Sequence, residues 1–486
     1  MKEIDSYTIL KKCFFILILG VVLCSCQKDK SAMNLLFAGD VILDRGVKDE
    51  MKLYGDSLLI NSLKSAGQKD FFILNYEGVF TNSVESQKDT FNFKALQNKA
   101  SLLYKGGVTH VSVANNHSYD FKKDGFKQTV ETLIENDLVP LGELCQPKIL
   151  QKKAYKSAVL SVSLTTHNEL LCISSVEKLK QSVENFIAQY PEIPLIVFIH
   201  WGLELQPSPE NWQKNLAKEL VHLGVDGIIG HHPHVVQTVE FIDEKPIFYS
   251  VGNYIADAYL PNTNKAYTVT LTIADEITDI KIQPILIQRY FPEFVNANDQ
   301  LSYIKEFLSF SDNVCALQQK DGWLIKPIEQ INFQEETNLW VFVADNKLLA
   351  IKKLLSGSYS LKQYVSKNIT TTISLHGGLS EIQFSDINND GVTDILLGIS
   401  KKVKFDPVLK KRINIYTYKQ HRIQPLWLGT KFIHDVVNFD TRKIDDINYL
   451  TTLEKDHNGE KHHRIYQWDD FGFALTTFNQ INTNEN

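Results

Sequence analysis

The sequence LIVFIHWG at residues 195–202, followed by GIIGHHPH at residues 227–234 and YSVGN at residues 249–253, decides the fold. The first two strings each begin with a short apolar run, typical of a buried strand, and continue into histidines. In an α/β sheet, functional side chains cluster at the carboxyl ends of the strands. Because neutral imidazole is the commonest metal ligand, this pattern predicts carboxylate partners elsewhere in the chain.

Strands, polar loops and helices alternate in the same way through residues 34–290, which predicts one α/β domain there. The strand-end loops of this domain carry six side chains of metal-ligating type: Asp40, Glu77, Asn116, His200, His232 and His234. Taken singly, each has an ordinary structural explanation, such as a turn, a helix cap or a buried histidine. Taken together, two carboxylates, an amide and three imidazoles suit two divalent ions bridged by a carboxylate.

The order of these strings resembles that of the CapA family of capsule-synthesis (poly-γ-glutamate capsule) proteins, among the calcineurin-like metallophosphoesterases. The matching strings are Gly39-Asp40, Asn75-x-Glu77, Ala114-Asn115-Asn116-His117-x-x-Asp120, His200-Trp201-Gly202, Gly230-x-His232-Pro233-His234 and Tyr249-Ser250-x-Gly252-Asn253. The resemblance covers residues 34–290. It implies a calcineurin-like metallophosphoesterase fold, which is a layered α/β sandwich.

The resemblance also implies two metal ions, which would be manganese, iron or zinc. Asp40 and His234 would bind one ion, and Glu77 would bridge the pair. The other ion would be bound by Asn116, His200 and His232. Such a pair of ions activates water and neutralises charge on a phosphoryl group.

The catalytic residues implied by the resemblance are His117, as proton donor at the leaving oxygen, and Asp120, which would orient it. One departure from the metallophosphoesterase pattern puts hydrolysis in doubt. The usual first string is Asp-x-His, but Ile42 stands two residues after Asp40. An aliphatic side chain cannot ligate, so one ion is expected to lack a ligand.

Three further residues are candidates for binding substrate. Arg45 could clamp an anion, although a surface ion pair is the alternative. Asn75 precedes the bridging acid by two positions. Asn253 could contact substrate or fix its own loop.

The N-terminus predicts a lipoprotein signal peptide over residues 1–25. Lys11-Lys12 precede an apolar run at residues 13–23, and this run is shorter than the roughly 20 residues that span a bilayer. The following Leu-Cys-Ser-Cys resembles a lipobox, in which Cys26 would be lipidated and would anchor the protein to a membrane. An ordinary signal peptide cut near Ser25 or Ala32 is the alternative.

The C-terminal third has a different pattern. Residues 291–335 read as a connector, and residues 336–486 as a β-rich module with blade-like repeats that resemble FG-GAP or VCBS propeller units. Four residues occupy calcium-loop positions: Asp386, Asn388, Asp390 and Asp394. Gly391 would permit the sharp turn. An ordinary Asn-Asp-Gly turn is the alternative to a Ca²⁺ site.

Length and charge limit the function further. A chain of 486 residues is too long for one ordinary core, and a net charge of −6 without basic clusters argues against nucleic acid as a partner. The sequence therefore predicts a lipid-anchored protein of the bacterial cell envelope, facing the periplasm or the cell surface. The resemblance further implies a metal-dependent hydrolase or transferase acting on a phosphate- or peptide-containing capsule or envelope polymer.

Two other functions stay open on the sequence alone. The first is a non-catalytic scaffold that binds polymer within a capsule synthesis or export complex, which the missing ligand at Ile42 favours. The second is an adhesin that acts through the calcium-dependent C-terminal module.

Overall fold

The computed structural model describes residues 32–476 except positions 68, 84–90, 145, 166–173, 297–298, 309–313, 320–321, 331–338, 345–346, 355, 357, 366–367, 405, 421 and 430–431. The predicted signal peptide and Cys26 lie outside these residues. Within the described part of the chain, no helix is long and apolar enough to cross a membrane.

Among the described residues before position 295, the structure has the strands β1 (Met33–Val41), β2 (Phe71–Tyr76), β3 (Val79–Phe80), β4 (Lys94–Ala95), β5 (His110–Ser112), β6 (Val139–Leu141), β7 (Lys148–Lys152), β8 (Tyr155–Ser163), β9 (Leu195–His200), β10 (Gly227–His231), β11 (Val239–Ile242), β12 (Lys245–Phe248), β13 (Asn253–Ile255), β14 (Lys265–Ile273), β15 (Ile277–Gln288) and β16 (Phe291–Phe294). The described α-helices are α1 (Arg45–Tyr54), α2 (Ser57–Lys64), α3 (Ala100–Lys105), α4 (Lys122–Glu135), α5 (Val176–Gln189), α6 (Asn211–His222) and α7 (Gln300–Leu308).

Two sheets form the centre of the N-terminal domain. In the first, β14, β1, β2, β5 and β6 are neighbours in that order, with β13 also paired to β1. The second has the order β11-β12-β10-β9-β8-β7. The β1-β2-β5-β6 and β8-β9-β10-β12 segments are parallel, so each ends at one edge of its sheet.

Apolar clusters show how the layers stack. Phe37 and Ile73 of the first sheet pack with Phe198 and Ile229 of the second, in a core between the two sheets. The outer face of the first sheet is covered by α1 to α4, and that of the second by α5 and α6. Strands covered on both faces are apolar throughout, as in β9 (LIVFIH), where every residue is buried. The predicted layered α/β architecture is therefore confirmed.

The remaining strands belong to the C-terminal half: β17 (Val314–Gln319), β18 (Gly322–Pro327), β19 (Leu339–Ala344), β20 (Lys347–Lys353), β21 (Tyr359–Val365), β22 (Asn368–Leu375), β23 (Gly378–Ser385), β24 (Asp394–Val403), β25 (Asp406–Lys419), β26 (Arg422–Trp427), β27 (Asp435–Ile444), β28 (Ile447–Lys455), β29 (Lys461–Asp469) and β30 (Gly472–Thr476). Strands β17 and β18, in the predicted connector, pair with each other and join the first sheet through β15. Strands β19 to β22 continue that sheet.

The last eight strands form two separate four-stranded antiparallel sheets, β23 to β26 and β27 to β30. The resemblance of these sheets to propeller blades stays a prediction. The two sheets contact each other: the Gln383 side chain donates to the Phe439 carbonyl at 3.0 Å, and Lys411 Nζ donates to the Val437 carbonyl at 3.1 Å. The region is β-rich, as expected.

Candidate metal centre

The six predicted metal ligands meet at the carboxyl ends of the parallel strands. Asp40 near the end of β1 is in register with Asn75 of β2, and His200 at the end of β9 is in register with His231 of β10. Glu77 directly follows β2, and Asn116 follows β5. Because both sheets present this edge to the same space, side chains far apart in sequence become neighbours.

Two glycines allow this close approach. A Cβ at Gly39 would lie 1.8 Å from the carbonyl oxygen of Gly252, and one at Gly230 would lie 2.1 Å from that of Tyr249. Any side chain at these positions would push the loop at residues 249–253 away from the ends of β1 and β10. Gly39 in the Gly-Asp string and Gly230 in the GHHPH string are therefore needed for the backbone to pack this closely.

The ligand atoms fall into groups whose members lie within 4.8 Å of one another. One group contains Glu77, His200 and His232, and another contains Asp40, Glu77 and His234. Asn116 joins the first, because its Oδ1 lies 2.9 Å from His200 Nε2. Glu77 belongs to both groups, which is the arrangement expected of a carboxylate that bridges two ions.

The Glu77 carboxylate gives the test of whether a cation fits here. The side chain is fully buried, and neither carboxylate oxygen has a hydrogen-bond donor. Burial raises the pKa of Glu77 to about 8, and the negative charge of Asp40 acts in the same direction while His234 opposes it. A buried carboxylate without donors is costly unless a cation compensates it. The residues present therefore fit a metal centre.

The histidines have the protonation states that ligands need. Burial holds the pKa of His200 well below its usual value and lowers that of His232 to about 3, with the neighbouring histidines adding to both shifts. Both imidazoles are therefore neutral at physiological pH and can donate a lone pair. His234 differs: although burial opposes it, the charges of Glu77 and Asp40 raise its pKa to about 10.

Asp40 is held by a network behind the ligands. Burial opposes its ionisation, but hydrogen bonds with His231 and His234 keep the pKa of Asp40 well below its usual range. Its Oδ1 also accepts from Asn75 Nδ2 at 2.8 Å, and Asn75 Oδ1 accepts from Asn115 Nδ2 at 3.1 Å. Asn75 is fully buried in this network. Its environment favours positioning of Asp40 over the predicted contact with substrate.

His117 has the surroundings of an oriented acid–base residue. Its Nδ1 lies 2.7 Å from Asp120 Oδ2, and this oxygen also accepts from the backbone N–H of Phe93 at 2.9 Å. The carboxylate therefore favours the tautomer with hydrogen on Nδ1. His117 Nε2 then faces the centre, 3.8 Å from Glu77 Oε1.

The two remaining predicted residues differ in their placement. Asn253 Oδ1 lies 2.8 Å from His234 Nδ1, and Asn253 Nδ2 donates to the Thr263 carbonyl at 3.2 Å. A partner on the second ring nitrogen is the usual way to orient a metal-binding histidine, so Asn253 fixes His234. Arg45 lies over the ring of Phe93 at 4.5 Å, and that ring packs on His117. Its guanidinium is thus at the rim near His117, where an anion clamp would be useful.

Two residues of the cluster are not among the sequence predictions. His231 Nδ1 lies 2.8 Å from His200 Nδ1 and 3.1 Å from Asp40 Oδ1. Glu204 has a carboxylate oxygen in a ligand group with His232 and His234. His231 stands inside the GHHPH string, directly before the predicted ligand His232, so its place near the centre could be predicted from the sequence. Glu204 follows His200 by four residues in a loop, and no spacing rule indicates it.

An apolar cavity of about 340 Å³ lies beside the cluster. Its lining includes Leu205, Val235, Leu260, Tyr267, Ile282 and Phe307. Leu205 and Val235 directly follow Glu204 and His234 in sequence. The cavity therefore begins next to the ligand loops.

The predicted calcium loop is arranged differently from this centre. Asp386 accepts from the backbone N–H groups of Asp390 at 2.9 Å and Gly391 at 2.8 Å. Asp390 accepts from the Val392 N–H at 2.9 Å and from the Asn388 side chain at 2.9 Å. Asp394 accepts from the Ile387 N–H at 3.2 Å, and burial raises its pKa to about 7. The four predicted residues thus share one loop, in which backbone amides occupy several of the oxygens.

The layered fold and the two ligand groups define the N-terminal domain as an α/β domain with a candidate metal centre at one edge of its sheets. In the comparison with known sequences, residues 34–258 match the model of the bacterial capsule synthesis protein PGA_cap. This part of the chain is therefore similar to the PGA_cap family.

Two relatives are similar over much of their length. The capsule biosynthesis protein CapA of Bacillus anthracis is 25% identical over 293 residues, which are 56% of this chain and 71% of that protein. The PGA biosynthesis protein CapA of Bacillus subtilis is 25% identical over 319 residues, 61% of this chain and 83% of that protein.

Solved structures give weaker similarities. TT1561 of Thermus thermophilus is 8% identical, with a TM-score of 0.32 over 49% of this chain and 94% of that one. Vps29 of Entamoeba histolytica, solved with Zn²⁺, is 12% identical, with a TM-score of 0.24 over 54% of this chain and 97% of that one.

Proposed function

We propose that the protein acts in capsule or cell-envelope polymer biosynthesis as a metal-dependent hydrolase or transferase. Its substrate would be a phosphate- or peptide-containing polymer outside the cytoplasm, and lipidated Cys26 would anchor the protein to the membrane. The observation that carries this proposal is the buried, donor-free carboxylate of Glu77 between two ligand groups. The similarity to two proteins named for capsule or PGA biosynthesis supports the choice of polymer.

In this proposal Asp40, Glu77 and His234 hold one divalent ion, of manganese, iron or zinc. The second is held by Glu77, Asn116, His200 and His232. When bound, the ions supply Lewis-acid activation and offset negative charge at the reacting group.

The chain's own residues have separate roles around this pair. Asp120 holds the His117 ring so that Nε2 faces the centre. In the imidazolium form, in which Nδ1–H stays bonded to Asp120, the Nε2–H would give its proton to the leaving oxygen and leave a neutral ring. Arg45 at the rim attracts the anionic group of the substrate. The apolar cavity next to the ligand loops gives room for an uncharged part of the substrate beside the reacting bond.

A second candidate function is a non-catalytic scaffold that binds polymer within a capsule synthesis or export complex. It is favoured by Ile42, because this aliphatic residue stands where the Asp-x-His pattern has a ligand. The Ile42 backbone N–H donates to the Ile255 carbonyl at 2.8 Å. On this view the pocket binds polymer, and His117 has no role in turnover.

The experiment compares the purified protein with two histidine variants, His117→Ala and His222→Ala. His222 is an exposed residue of α6 and serves as the matched control. Metal content is measured by plasma mass spectrometry, and hydrolysis is measured with a chromogenic aryl phosphodiester. General acid–base catalysis contributes about 10²–10⁴-fold, so His117→Ala should lose that much turnover and keep its metal.

His222→Ala should keep both its bound metal and its turnover. Metal binding without turnover would favour the scaffold, whereas turnover that His117→Ala leaves intact would refute the proposed role of His117. Absence of metal from protein purified and reconstituted with manganese, iron and zinc in turn would refute the metal centre itself.

A further inference from the structure

The loop at residues 201–206 is fixed against the turn that carries His232 and His234. The Leu205 N–H donates to the Pro233 carbonyl at 2.8 Å, and Gln237 Nε2 donates to the Gln206 carbonyl at 2.9 Å. Glu204 lies between Gly202, whose φ is +89°, and Leu205. The loop therefore has a defined position over the metal centre, with Glu204 at its tip.

Positive φ angles at three residues other than glycine support a functional reason for this geometry. They are Leu205 at 62°, His232 at 99° and His234 at 60°. Left-handed backbone disfavours side chains with a Cβ and persists only where the surrounding structure enforces it. Such residues also occur at turns elsewhere in the described chain, and here all three belong to the two facing segments.

The distances match those of ligands around an ion. A carboxylate oxygen of Glu204 and ring nitrogens of His232 and His234 all lie within 4.8 Å of one another. Independently of Glu204, the His232 ring is 5% exposed, and its Nδ1 has no hydrogen-bond partner. The fully buried Glu77 carboxylate lacks donors in the same way. Unpartnered buried groups aimed at this space indicate that a ligand is needed there.

We propose that Glu204 is a further ligand of the metal centre and replaces the donor lost at Ile42. This inference rests on the proposed metal centre and adds one oxygen to its ligand set. Ile42 leaves Asp40, Glu77 and His234 as three protein ligands for one ion, and Glu204, beside His234, would supply the next donor. The exchange puts a carboxylate where the metallophosphoesterase pattern has an imidazole.

The exchange has a consequence for the choice of metal. Carboxylate oxygens suit manganese, whereas additional imidazole nitrogen favours zinc. A centre that contains Glu204 is therefore expected to prefer Mn²⁺ over Zn²⁺ more strongly than a centre with an Asp-x-His string. The Glu204→His variant reverses the exchange and should shift the preference toward Zn²⁺.

The test measures metal binding to the full-length protein without any substrate, so an effect on substrate affinity cannot contribute. Titration calorimetry and plasma mass spectrometry give the affinity and number of Mn²⁺ ions, and electron paramagnetic resonance distinguishes coupled from isolated Mn²⁺. Glu204→Gln should weaken one Mn²⁺ at least about tenfold and replace the coupled signal by that of an isolated ion. Glu204→Asp keeps the carboxylate and should retain part of the affinity.

Glu184→Gln is the matched control, because Glu184 is an exposed glutamate on α5 away from the centre. If Glu204→Gln bound two Mn²⁺ ions with unchanged affinity, the inference would be overturned while the metal centre remained. If the unaltered protein bound no Mn²⁺, Fe²⁺ or Zn²⁺, the proposed function would fail as well. If Glu204→Gln and Glu184→Gln lost metal equally, the loss would be nonspecific and Glu204 would not be a ligand.

Discussion

The N-terminal metal centre and the acidic loop at residues 386–394 were both predicted to bind cations, and their carboxylates have different surroundings. Glu77 is fully buried, has no hydrogen-bond donor and lies among ligands from distant strands. Asp386 is in a local loop, where the N–H groups of Asp390 and Gly391 bind its oxygens. A buried acid without donors needs a compensating charge in order to ionise, whereas the ionised form of a loop acid bound by backbone amides is already stabilised.

The largest expected effect concerns the glycines of the two regions. Gly39→Ala would bring its Cβ within 1.8 Å of the Gly252 carbonyl, whereas a Cβ at Gly391 meets nothing within 4 Å. Gly39→Ala should therefore destabilise the protein by more than about 4 kcal/mol, in the range of severe core disruption. Gly391→Ala costs only the left-handed backbone, with φ at +84°, about 1–2 kcal/mol. Urea unfolding followed by tryptophan fluorescence measures both.

Equal losses in the two variants would contradict this difference. It would mean that the end of β1 can move away from residues 249–253 without cost, and the close packing at Asp40 would then not define the site.

The next largest effect is expected in the stabilisation of the protein by bound metal when Glu77 is replaced. Saturating Mn²⁺ at about 1,000 times its dissociation constant should stabilise the native protein by about 4 kcal/mol, which corresponds to a rise in Tm on the order of 10 °C. Glu77→Gln should lose most of that rise, because it removes the bridging charge. In the absence of metal, Glu77→Gln should be no less stable than the unaltered protein at neutral pH, because burial raises the pKa of Glu77 to about 8 and the amide replaces a carboxyl group that is already uncharged.

Differential scanning fluorimetry with and without Mn²⁺ measures both quantities, and Glu192→Gln is an exposed control. A Glu77→Gln variant that is strongly destabilised without metal would show that Glu77 is a structural residue, and the comparison with the acidic loop would lose its basis.

The sequence was sufficient to predict the residues that this comparison depends on. Asp40, Glu77, His200 and His232 follow apolar strand-like runs, and parallel strands end at one sheet edge, so their convergence follows from the periodicity. The layered α/β class and the β-rich C-terminal region follow from the same alternation.

Other features depend on tertiary contacts that no local pattern specifies. Glu204 reaches the centre because the Leu205 N–H binds the Pro233 carbonyl, a contact between segments 28 residues apart. Asn75 has the residue type of a substrate contact, but its place behind Asp40 is set by Asn115. The pairing of β18 with β15 likewise joins the predicted connector to the first sheet without a short-range signal.

A smaller effect is expected in the pH dependence of metal binding. Without metal, Glu77 has a pKa of about 8 and His234 of about 10, so both groups carry protons at neutral pH. Ligands must lose these protons, so Mn²⁺ affinity should increase as the pH rises toward 8, and His234 should extend the increase toward 10. Calorimetry in buffers of different ionisation enthalpy should detect release of about one to two protons per protein near pH 7.

An affinity that did not change between pH 6 and pH 8 would contradict this prediction. Glu77 and His234 would then be free of protons before the metal binds, and the donor-free surroundings of Glu77 would not distinguish it from the loop acids.

The smallest effect is expected from calcium at the acidic loop. Because Asp386, Asp390 and Asp394 already accept backbone or side-chain hydrogen bonds, Ca²⁺ can add only the stabilisation of an already closed turn. Millimolar Ca²⁺ should therefore stabilise the protein by about 1–2 kcal/mol, as expected for a site about tenfold above its dissociation constant. Asp386→Asn should abolish this gain, whereas Asp456→Asn, in another acidic turn, should keep it. If the unaltered protein has the same Tm in Ca²⁺ and in a chelator, the loop is an ordinary Asn-Asp-Gly turn. Its hydrogen bonds with Asn448 of the neighbouring sheet then explain its order without an ion.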